Sequence, residues 1–216
     1  MDLRDVIEAL ERGCGRDEWW PSESVFEVIV GAILAQRVSW KNVQIAIANL
    51  KCAQVLDPRA IMGLDESRLQ ELIRPSGFYR QKARYLRTFS AYLIDRYDGD
   101  IKLMKGIRTA QLRGELLSLD GIGPETADTI LLYALGHPSF VVDSYAFRLF
   151  DRLGLGLGRS YDKVKTEVED AIGRDVRRLS LAHALVVTHC KTHCLATPLC
   201  LGCPFSGICP SEVHDG

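Results

Sequence analysis

The chain has 216 residues, of which 47% are hydrophobic, and its formal net charge is −1. This composition excludes a disordered chain, and the charge excludes a uniformly positive field that would attract nucleic acid. The longest apolar stretches, such as residues 28–35, are far shorter than the roughly 20 residues of a membrane helix, so we expect no membrane span. The N-terminal segment is amphipathic and lacks the apolar centre of a signal peptide, so we expect a cytoplasmic protein.

Helical periodicity runs along nearly the whole chain. Val6, Ile7 and Leu10 share one face of a first helix. Ser24 and Glu27 form a capping-box pattern at the start of a second helix, which is apolar on nearly every side. Further helices are predicted at residues 40–51, 66–73, 79–97, 108–119, 124–136, 143–153, 160–172 and 176–191. Since no run alternates convincingly as a strand would, the predicted fold class is all-α.

Positive charge is concentrated between Arg74 and Arg108. This segment has nine basic and three acidic residues, a net charge of +6, so the remainder of the chain carries −7. The sequence leaves two interpretations open: a solvated helix face, or a local surface that binds phosphates.

Two glycines lie between the helix that ends near Leu119 and the helix that begins at Pro124. Gly121 and Gly123 permit a tight turn with positive φ and the close approach of a partner. Pro124 suits the first position of a helix, because no backbone N–H is needed there. The N–H groups of such a hairpin suit a phosphate oxygen; the alternative is a plain turn between packed helices.

Asp143 follows a short apolar run, residues 140–142, and precedes a predicted helix. The run has the composition of one short strand. Aspartate in this place is a good N-cap. The cap would also fix the carboxylate in one orientation, suited to face positive charge that develops on a substrate.

Five of the seven cysteines lie within the last 27 residues. Four of these, separated by gaps of five, two and five residues, are Cys194, Cys200, Cys203 and Cys209. Without a signal peptide, this terminal cluster indicates a metal or cluster site in a reducing compartment. Four thiolates hold either Zn²⁺ or a [4Fe–4S] cluster, and the spacing alone does not separate the two.

In their order and spacing, the hairpin, Asp143 and the cysteines resemble the endonuclease III superfamily of helix-hairpin-helix DNA glycosylases. The resemblance covers residues 19–209 and includes residues 31–36 and 77–83. It implies a two-lobed helical fold with a C-terminal iron–sulfur cluster loop. The lobe that carries the hairpin would comprise residues 21–135, and the other would comprise residues 1–20 with 136–216.

The resemblance also implies a partner, double-stranded DNA that contains a damaged base, and a monomeric protein. The residues expected to contact DNA are Gln36, Lys82, Gly121, Ile122, Gly123 and Thr126. Gln36 resembles the family residue that fills the gap left by a flipped base; the alternative is an exposed polar residue at a helix end. Asp143 is expected near the cleft between the lobes.

For the cysteines, the resemblance favours a [4Fe–4S] cluster. The family usually has six residues in the first gap, where this chain has five, so Cys190 and His193 compete with Cys194 as the first ligand. We prefer Cys194, because its distance from His183 fits the helix that leads into the family's cluster.

Members of the family that also cleave the backbone have a lysine where this chain has Glu125. That lysine forms a Schiff base with the sugar, which no carboxylate can do. The resemblance therefore implies a monofunctional glycosylase that leaves an abasic site in an intact strand. Asp143 becomes the expected catalytic residue, either activating water or stabilising the oxocarbenium-like sugar.

The residues expected to form the base pocket are Trp19, Trp20, Pro21, Trp40 and Glu125. Their pattern resembles the 3-methyladenine DNA glycosylase subgroup. A purine alkylated on a ring nitrogen is positively charged, and stacking on tryptophan gains about 0.5–2 kcal/mol of cation–π energy. The alternative for the tryptophans is that they belong to the hydrophobic core. The alternatives for the function are a glycosylase for uracil or thymine mismatches or for oxidised pyrimidines, and a non-catalytic DNA-binding protein.

Overall fold

The computed structural model describes residues 1–13 and 22–212. Within these ranges every regular element is helical, which confirms the predicted fold class. The chain divides into two units, which comprise residues 22–137 and residues 1–13 with 138–212 among those described. None of the helices in these ranges has the length and apolarity needed to cross a membrane.

The unit of residues 22–137 contains most of the helices. They are α2 (Val25–Leu34), α3 (Trp40–Cys52), α4 (Pro58–Gly63), α5 (Glu66–Leu72), a 3₁₀ turn (Arg74–Ser76), α6 (Tyr79–Tyr97), α7 (Ile101–Met104), α8 (Thr109–Leu117), α9 (Pro124–Thr129) and a π-helix (Ile130–Leu135). Helix α2 is the centre of this unit, since every residue from Phe26 to Leu34 is buried. It packs against α3, α6, α9 and the π-helix, which explains why its sequence has no polar side.

The predicted capping box at the start of α2 is formed in part. The N–H of Glu27 donates to the Ser24 hydroxyl at 3.1 Å, as the pattern requires. The Glu27 carboxylate accepts from the N–H of Glu23 rather than from that of Ser24. It also pairs with Lys51 of α3 at 2.9 Å. The cap therefore also joins α2 to α3.

The second unit contains four helices among its described residues. They are α1 (Leu3–Gly13), α10 (Ser144–Arg152), α11 (Tyr161–Ile172) and α12 (Val176–Thr192). Helix α1 packs on α11 and α12, and Val6, Ile7 and Leu10 are fully buried, as their shared face predicts. The Arg4 guanidinium donates to the carbonyl of Ala171, which ties α1 to the end of α11.

Two short helices, α4 and α7, were not predicted. Each is too short to show a period, and each begins with an aspartate N-cap, Asp57 and Asp100. The helix predicted at residues 124–136 changes from α to π after Thr129 and ends at Gly136, whose φ is +70°. A change of hydrogen-bonding pattern within one apolar run leaves no signal in the spacing of its side chains.

Candidate functional site

The glycine hairpin between α8 and α9 has one obligatory glycine. Gly121 has a φ of +81°, and a Cβ built on it would lie 2.2 Å from ring atoms of Tyr85 on α6. Gly123 has a φ of −84°, and a Cβ there would meet nothing within 4 Å. The predicted positive φ is therefore right for Gly121 and wrong for Gly123, whereas the predicted close approach of a binding partner stays a prediction for both. Gly123 is instead the N-cap of α9, whose first-turn N–H groups have no acceptor within the helix.

Gln36, just beyond the end of α2, is bonded to both sides of the hairpin. Its side-chain amide donates to the carbonyl of Gly121 at 2.8 Å and to the hydroxyl of Thr126 at 3.1 Å. Gln36 is therefore not the exposed, unattached side chain of one sequence interpretation. Gln36 would give up both hydrogen bonds if its amide nitrogen moved into a gap in DNA.

The burial of Ile122 and Thr126 limits how these two predicted DNA contacts can be made. Ile122 is 4% exposed and belongs to the core of its unit, and Thr126 is 7% exposed. Because both side chains face the protein interior, any contact of these residues with DNA is restricted to backbone atoms. Ile122 could not be placed from the sequence, because a turn residue has no periodic neighbours to define its buried side, and α9, which contains Thr126, is only six residues long.

A buried ion pair, missed by sequence reasoning, joins the helices on either side of the hairpin. The Arg113 guanidinium on α8 donates to both carboxylate oxygens of Asp128 on α9, at 2.9 and 3.1 Å. Asp128 is fully buried. This fork fixes α8 relative to α9 in the manner of other bidentate arginine–carboxylate pairs.

The predicted contact of Lys82 with DNA also needs correction. The sequence places it among the DNA contacts, but it is 2% exposed. Its ammonium group donates to the carbonyls of Leu34 at 2.8 Å and Ser76 at 2.6 Å. Burial lowers its pKa from 10.5 to about 8. Lys82 therefore stabilises the end of α2 and the turn before α6, and its charge does not reach a DNA phosphate.

The expected base pocket is only partly within the described residues. Trp19, Trp20 and Pro21 lie outside them. Trp40 begins α3 and is partly buried against the core of its unit, so part of its ring is committed to packing. Glu125 is exposed in the first turn of α9, where the helix dipole favours a negative charge.

Asp143 is the N-cap of α10, as the sequence predicts. One carboxylate oxygen, Oδ1, accepts from the N–H of Ala146 at 2.8 Å. The other, Oδ2, lies 3.6 Å from Nε2 of His183 on α12. The two side chains are 13% and 7% exposed, so the carboxylate is held in one orientation at the edge of the unit's interior. Its catalytic role stays a prediction.

Sequence reasoning missed His183 as the neighbour of Asp143. The signal available was a single histidine among Ala182, Ala184 and Leu185, all of which are buried. A polar ring on such a face needs a partner, because burying it alone costs free energy. The ring also packs edge-on against Phe140, with centroids 6.3 Å apart.

The segment before Asp143 has no regular secondary structure, so the apolar run of residues 140–142 does not form a strand. The N–H of Phe140 donates to the Glu169 carboxylate at 2.9 Å, and that of Val142 donates to the Tyr161 hydroxyl at 3.3 Å. Side chains of α11 thus replace the neighbouring strand that a sheet would supply. They also fix the backbone that presents Asp143.

The four predicted cysteine ligands line one cavity in the C-terminal loop. Its lining includes Cys194, Cys200, Cys203, Cys209, His189 and His193. Three of these cysteines are only partly buried, whereas Cys194 is buried. Within residues 1–13 and 22–212, no three histidine, cysteine or acidic side chains are already arranged as metal ligands. The donor set fits four-thiolate coordination in its chemistry and its common cavity.

The surroundings of Cys194 favour a thiolate. A hydrogen bond from Cys190 is the main influence and lowers the pKa of Cys194, burial opposes it, and a bond from Arg152 lowers it further. The Arg152 guanidinium lies 3.3 Å from the Cys194 sulfur. It also donates to the carbonyls of Leu195 and Ala196. The Cys190 sulfur also lies 3.5 Å from the Tyr145 carbonyl. The bond to Cys194 and burial raise the pKa of Cys190, which favours Cys194 over Cys190 as the first ligand.

Comparison with known proteins identifies relatives over most of the chain. The protein is 45% identical over 200 residues to a putative DNA repair glycosylase of Methanocaldococcus jannaschii, covering 92% of this chain and 91% of that one. It is 32% identical to a chloroplastic endonuclease III homologue of Arabidopsis thaliana, covering 90% of this chain but 51% of that one. It thus spans about half the length of the plant relative.

Solved structures show the same architecture. A 3-methyladenine DNA glycosylase from H. pylori, bound to 1,N6-ethenoadenine, superposes with a TM-score of 0.78 at 26% identity, covering 88% of this chain and 98% of that one. The family model for the HhH-GPD superfamily base excision DNA repair protein matches residues 30–174, which include the hairpin and Asp143. The chain therefore belongs to this superfamily, the endonuclease III superfamily of helix-hairpin-helix DNA glycosylases.

Proposed function

We propose that the protein is a monofunctional DNA glycosylase for alkylated purines such as 3-methyladenine. It hydrolyses the N-glycosidic bond and leaves an abasic site in an intact strand. Family membership supports the glycosylase activity. The likeness to the H. pylori 3-methyladenine DNA glycosylase supports the substrate class.

The observation that carries the proposal is the orientation of Asp143. One oxygen is bonded to the N–H of Ala146 and the other lies beside His183, so the carboxylate cannot rotate freely. A fixed negative charge lowers the barrier when positive charge develops on the sugar, because no reorganisation is needed during the reaction. In our proposal Asp143 stabilises that charge or orients the attacking water, and His183 positions it.

The proposed substrate needs little further help from the protein. An alkylated purine is already cationic, so it leaves as a neutral base without a strong general acid. We propose that Trp40, with Trp19 and Trp20, stacks on the flipped base. Tryptophan faces attract a cation by about 0.5–2 kcal/mol more than a neutral base, which favours the alkylated base over normal ones.

The absence of lyase activity follows from residue 125. We propose that Glu125 stands where the lyases of the family have the lysine that forms a Schiff base. A carboxylate cannot form that imine, so water alone adds to the sugar carbon as the base leaves, and the sugar stays in the strand as an abasic site. The exposed carboxylate at the start of α9 is consistent with this proposal.

We also propose that Cys194, Cys200, Cys203 and Cys209 hold a [4Fe–4S] cluster. Their common cavity and the N–H donor of Arg152 beside Cys194 support this assignment. When bound, the cluster would cross-link the C-terminal loop, a structural role. Arg152 and the backbone of residues 194–209 orient the thiolates for it.

The decisive experiment compares base release from methylated duplex DNA by the wild type, Asp143→Asn and Asp175→Asn, in parallel samples with and without alkali. Asp175 is the matched control, because it caps α12 as Asp143 caps α10, with a bond of 2.9 Å to the N–H of Arg178. Asparagine is also a good N-cap, so both variants should fold. We expect Asp143→Asn to lose at least about a hundredfold in rate and Asp175→Asn to lose little.

The same assay separates the alternatives. Release of uracil or thymine from mismatches instead of 3-methyladenine would replace the proposed substrate class. Strand breaks without alkali, together with borohydride trapping of a protein–DNA adduct, would show that an amine acts as a nucleophile. Binding without release of any base would indicate a non-catalytic DNA-binding protein.

A further inference from the structure

One side of α6 carries arginines that the proposed reaction does not use. Arg80, Arg84 and Arg87 follow one another at intervals of four and three residues, which places them on one side of the helix. They line a surface groove together with Glu66, Gln81 and Thr88. The groove lies within the basic segment that the sequence leaves unassigned.

The three arginines differ in what they already bind. Arg87 is half-buried and donates to the carbonyl of Leu64 at 2.9 Å, so it belongs to the framework of the groove. Arg80 and Arg84 are exposed. We call these two residues the α6 arginine face.

Arg84 is held against the glycine hairpin. Its Nε donates to the carboxylate of Asp120 at 2.9 Å, and its guanidinium lies over the ring of Tyr85, 5.6 Å from the centroid. The same ring fills the space against Gly121 that a side chain would need. The arginine face and the hairpin therefore form one continuous surface, joined through Asp120 and Tyr85.

We propose that the α6 arginine face binds DNA backbone phosphates next to those at the hairpin, and that Asp120 holds Arg84 in place until a phosphate replaces it. This inference rests on the DNA-binding part of the proposed function. A guanidinium fork matches a phosphate as well as a carboxylate, so the exchange replaces one charge-assisted bond with another. Asp120 also repels phosphate, so it lowers the affinity for DNA.

The first test measures the salt dependence of binding to an undamaged duplex by fluorescence anisotropy. Each lost phosphate contact should lower the slope of log affinity against log salt by about 0.9 in magnitude. We expect Arg84→Gln and Arg80→Gln each to show this loss. Between about 50 and 200 mM salt, the affinity advantage of the wild type over each variant should then shrink about threefold.

Arg59→Gln is the matched control for Arg84→Gln. Arg59 lies in the same unit on α4, its side chain is 60% exposed against 62% for Arg84, and it pairs with Asp98 at 2.6 Å. Both changes remove one charge and break one surface ion pair with aspartate. We expect the slope of Arg59→Gln to equal that of the wild type. Equal slopes for Arg59→Gln and Arg84→Gln would overturn the proposal.

The second test concerns the exchange at Asp120. Asp120→Asn should tighten binding to the undamaged duplex a few-fold, because Arg84 is freed and a repelling charge is removed. In the Arg84→Gln background the gain should be clearly smaller, since Asp120 then holds nothing. Additive effects of the two changes in this double-mutant cycle would contradict the exchange.

Base release from methylated DNA separates this inference from the proposed function. If the wild type releases no alkylated base but the arginine variants still show a weaker salt dependence of DNA binding, the proposed substrate class is contradicted and the proposed phosphate contacts are supported. If base release is normal and the arginine variants keep the salt dependence of the wild type, only the proposed phosphate contacts are contradicted. A thermal melt of each variant, matching the wild type within a few degrees, establishes that the comparison concerns folded protein.

Discussion

The side-chain amide of Gln36 lies 2.8 Å from the carbonyl of Gly121 and donates a hydrogen bond to it. The same amide nitrogen is bonded to the hydroxyl of Thr126, so one residue at the end of α2 contacts both sides of the hairpin. The hairpin is thus positioned by the most buried helix of its unit.

We expect Gln36→Met to cost about 1–3 kcal/mol in the free energy of unfolding, measured with urea, because two acceptors lose their donor. Hydrogen exchange at the amides of residues 121–123, 125 and 126 should become faster. Asn49→Leu is the control: Asn49 donates to the carbonyl of Leu72 at 2.9 Å, away from the hairpin. It should lose similar stability with unchanged exchange at the hairpin. Unchanged exchange in Gln36→Met would show that Gln36 does not position the hairpin.

The two hairpin glycines should respond differently to alanine. In Gly121→Ala the new methyl overlaps the Tyr85 ring and the residue has an unfavourable φ, so we expect a loss of several kcal/mol, as for other strained or overpacked sites. Gly123→Ala meets open space at a negative φ and should change thermal stability little. If a phosphate approaches the start of α9, Gly123→Ala should nevertheless weaken binding to undamaged duplex. A Gly123→Ala variant as unstable as Gly121→Ala would refute this description of the turn.

Lys82→Met tests the buried ammonium group. The carbonyls of Leu34 and Ser76 lose their donor, so we expect a loss of about 1–3 kcal/mol at pH 7, measured by urea unfolding. The pKa of Lys82 is about 8 in the folded protein and 10.5 without burial. Between these pH values the unfolded chain binds more protons, so the free energy of unfolding of the wild type rises with pH relative to that of the variant.

The salt dependence of DNA binding distinguishes a buried, structural Lys82 from the DNA contact that the sequence predicts. With its ammonium group buried, Lys82 makes no phosphate contact, and Lys82→Met should keep the salt dependence of the wild type. A loss of about 0.9 in the slope would restore Lys82 to the DNA contacts. Arg84→Gln, measured beside it, provides the positive reference.

The cysteine assignment predicts a selective loss of iron. Cys200→Ser removes a proposed ligand, and we expect purified protein with much less iron and acid-labile sulfide per chain than the wild type. Cys52→Ser is the control, since Cys52 is an exposed free thiol on α3. Cys190→Ser should likewise retain its iron, because Cys190 is not a proposed ligand and a serine hydroxyl can keep the hydrogen bond to Cys194. Zinc in place of iron in the wild type would contradict the cluster, and equal iron in Cys200→Ser would contradict the ligand set.

The helices and their buried faces could be predicted because they follow from local spacing. The face of Val6, Ile7 and Leu10 and the cap at Asp143 are examples: each depends on residues within one or two turns. The family could be recognised for the same reason, since the hairpin and the cysteines have fixed spacing along the chain.

The wrong prediction for Lys82 and the missed role of His183 have a different cause. Lys82 was assigned by its charge, but its surroundings come from α2 and from the turn at Ser76, which lies six residues earlier. His183 was missed because its neighbour, Asp143, is 40 residues away along the chain. Long-range pairs leave no mark in the spacing of one sequence. The chemical type of a residue therefore predicts what it can bind and not which partner the fold provides.

The hairpin also has a thermodynamic consequence. Gly121 is the kind of residue that loses the most conformational freedom when it is ordered. In this protein its carbonyl is already bonded to Gln36 and its backbone rests on Tyr85 before any DNA is present. The entropy of ordering the turn is therefore lost once, when the chain folds. Each encounter with DNA then begins with a turn that needs no further ordering, which leaves more of the binding energy for the base extrusion that the proposed function requires.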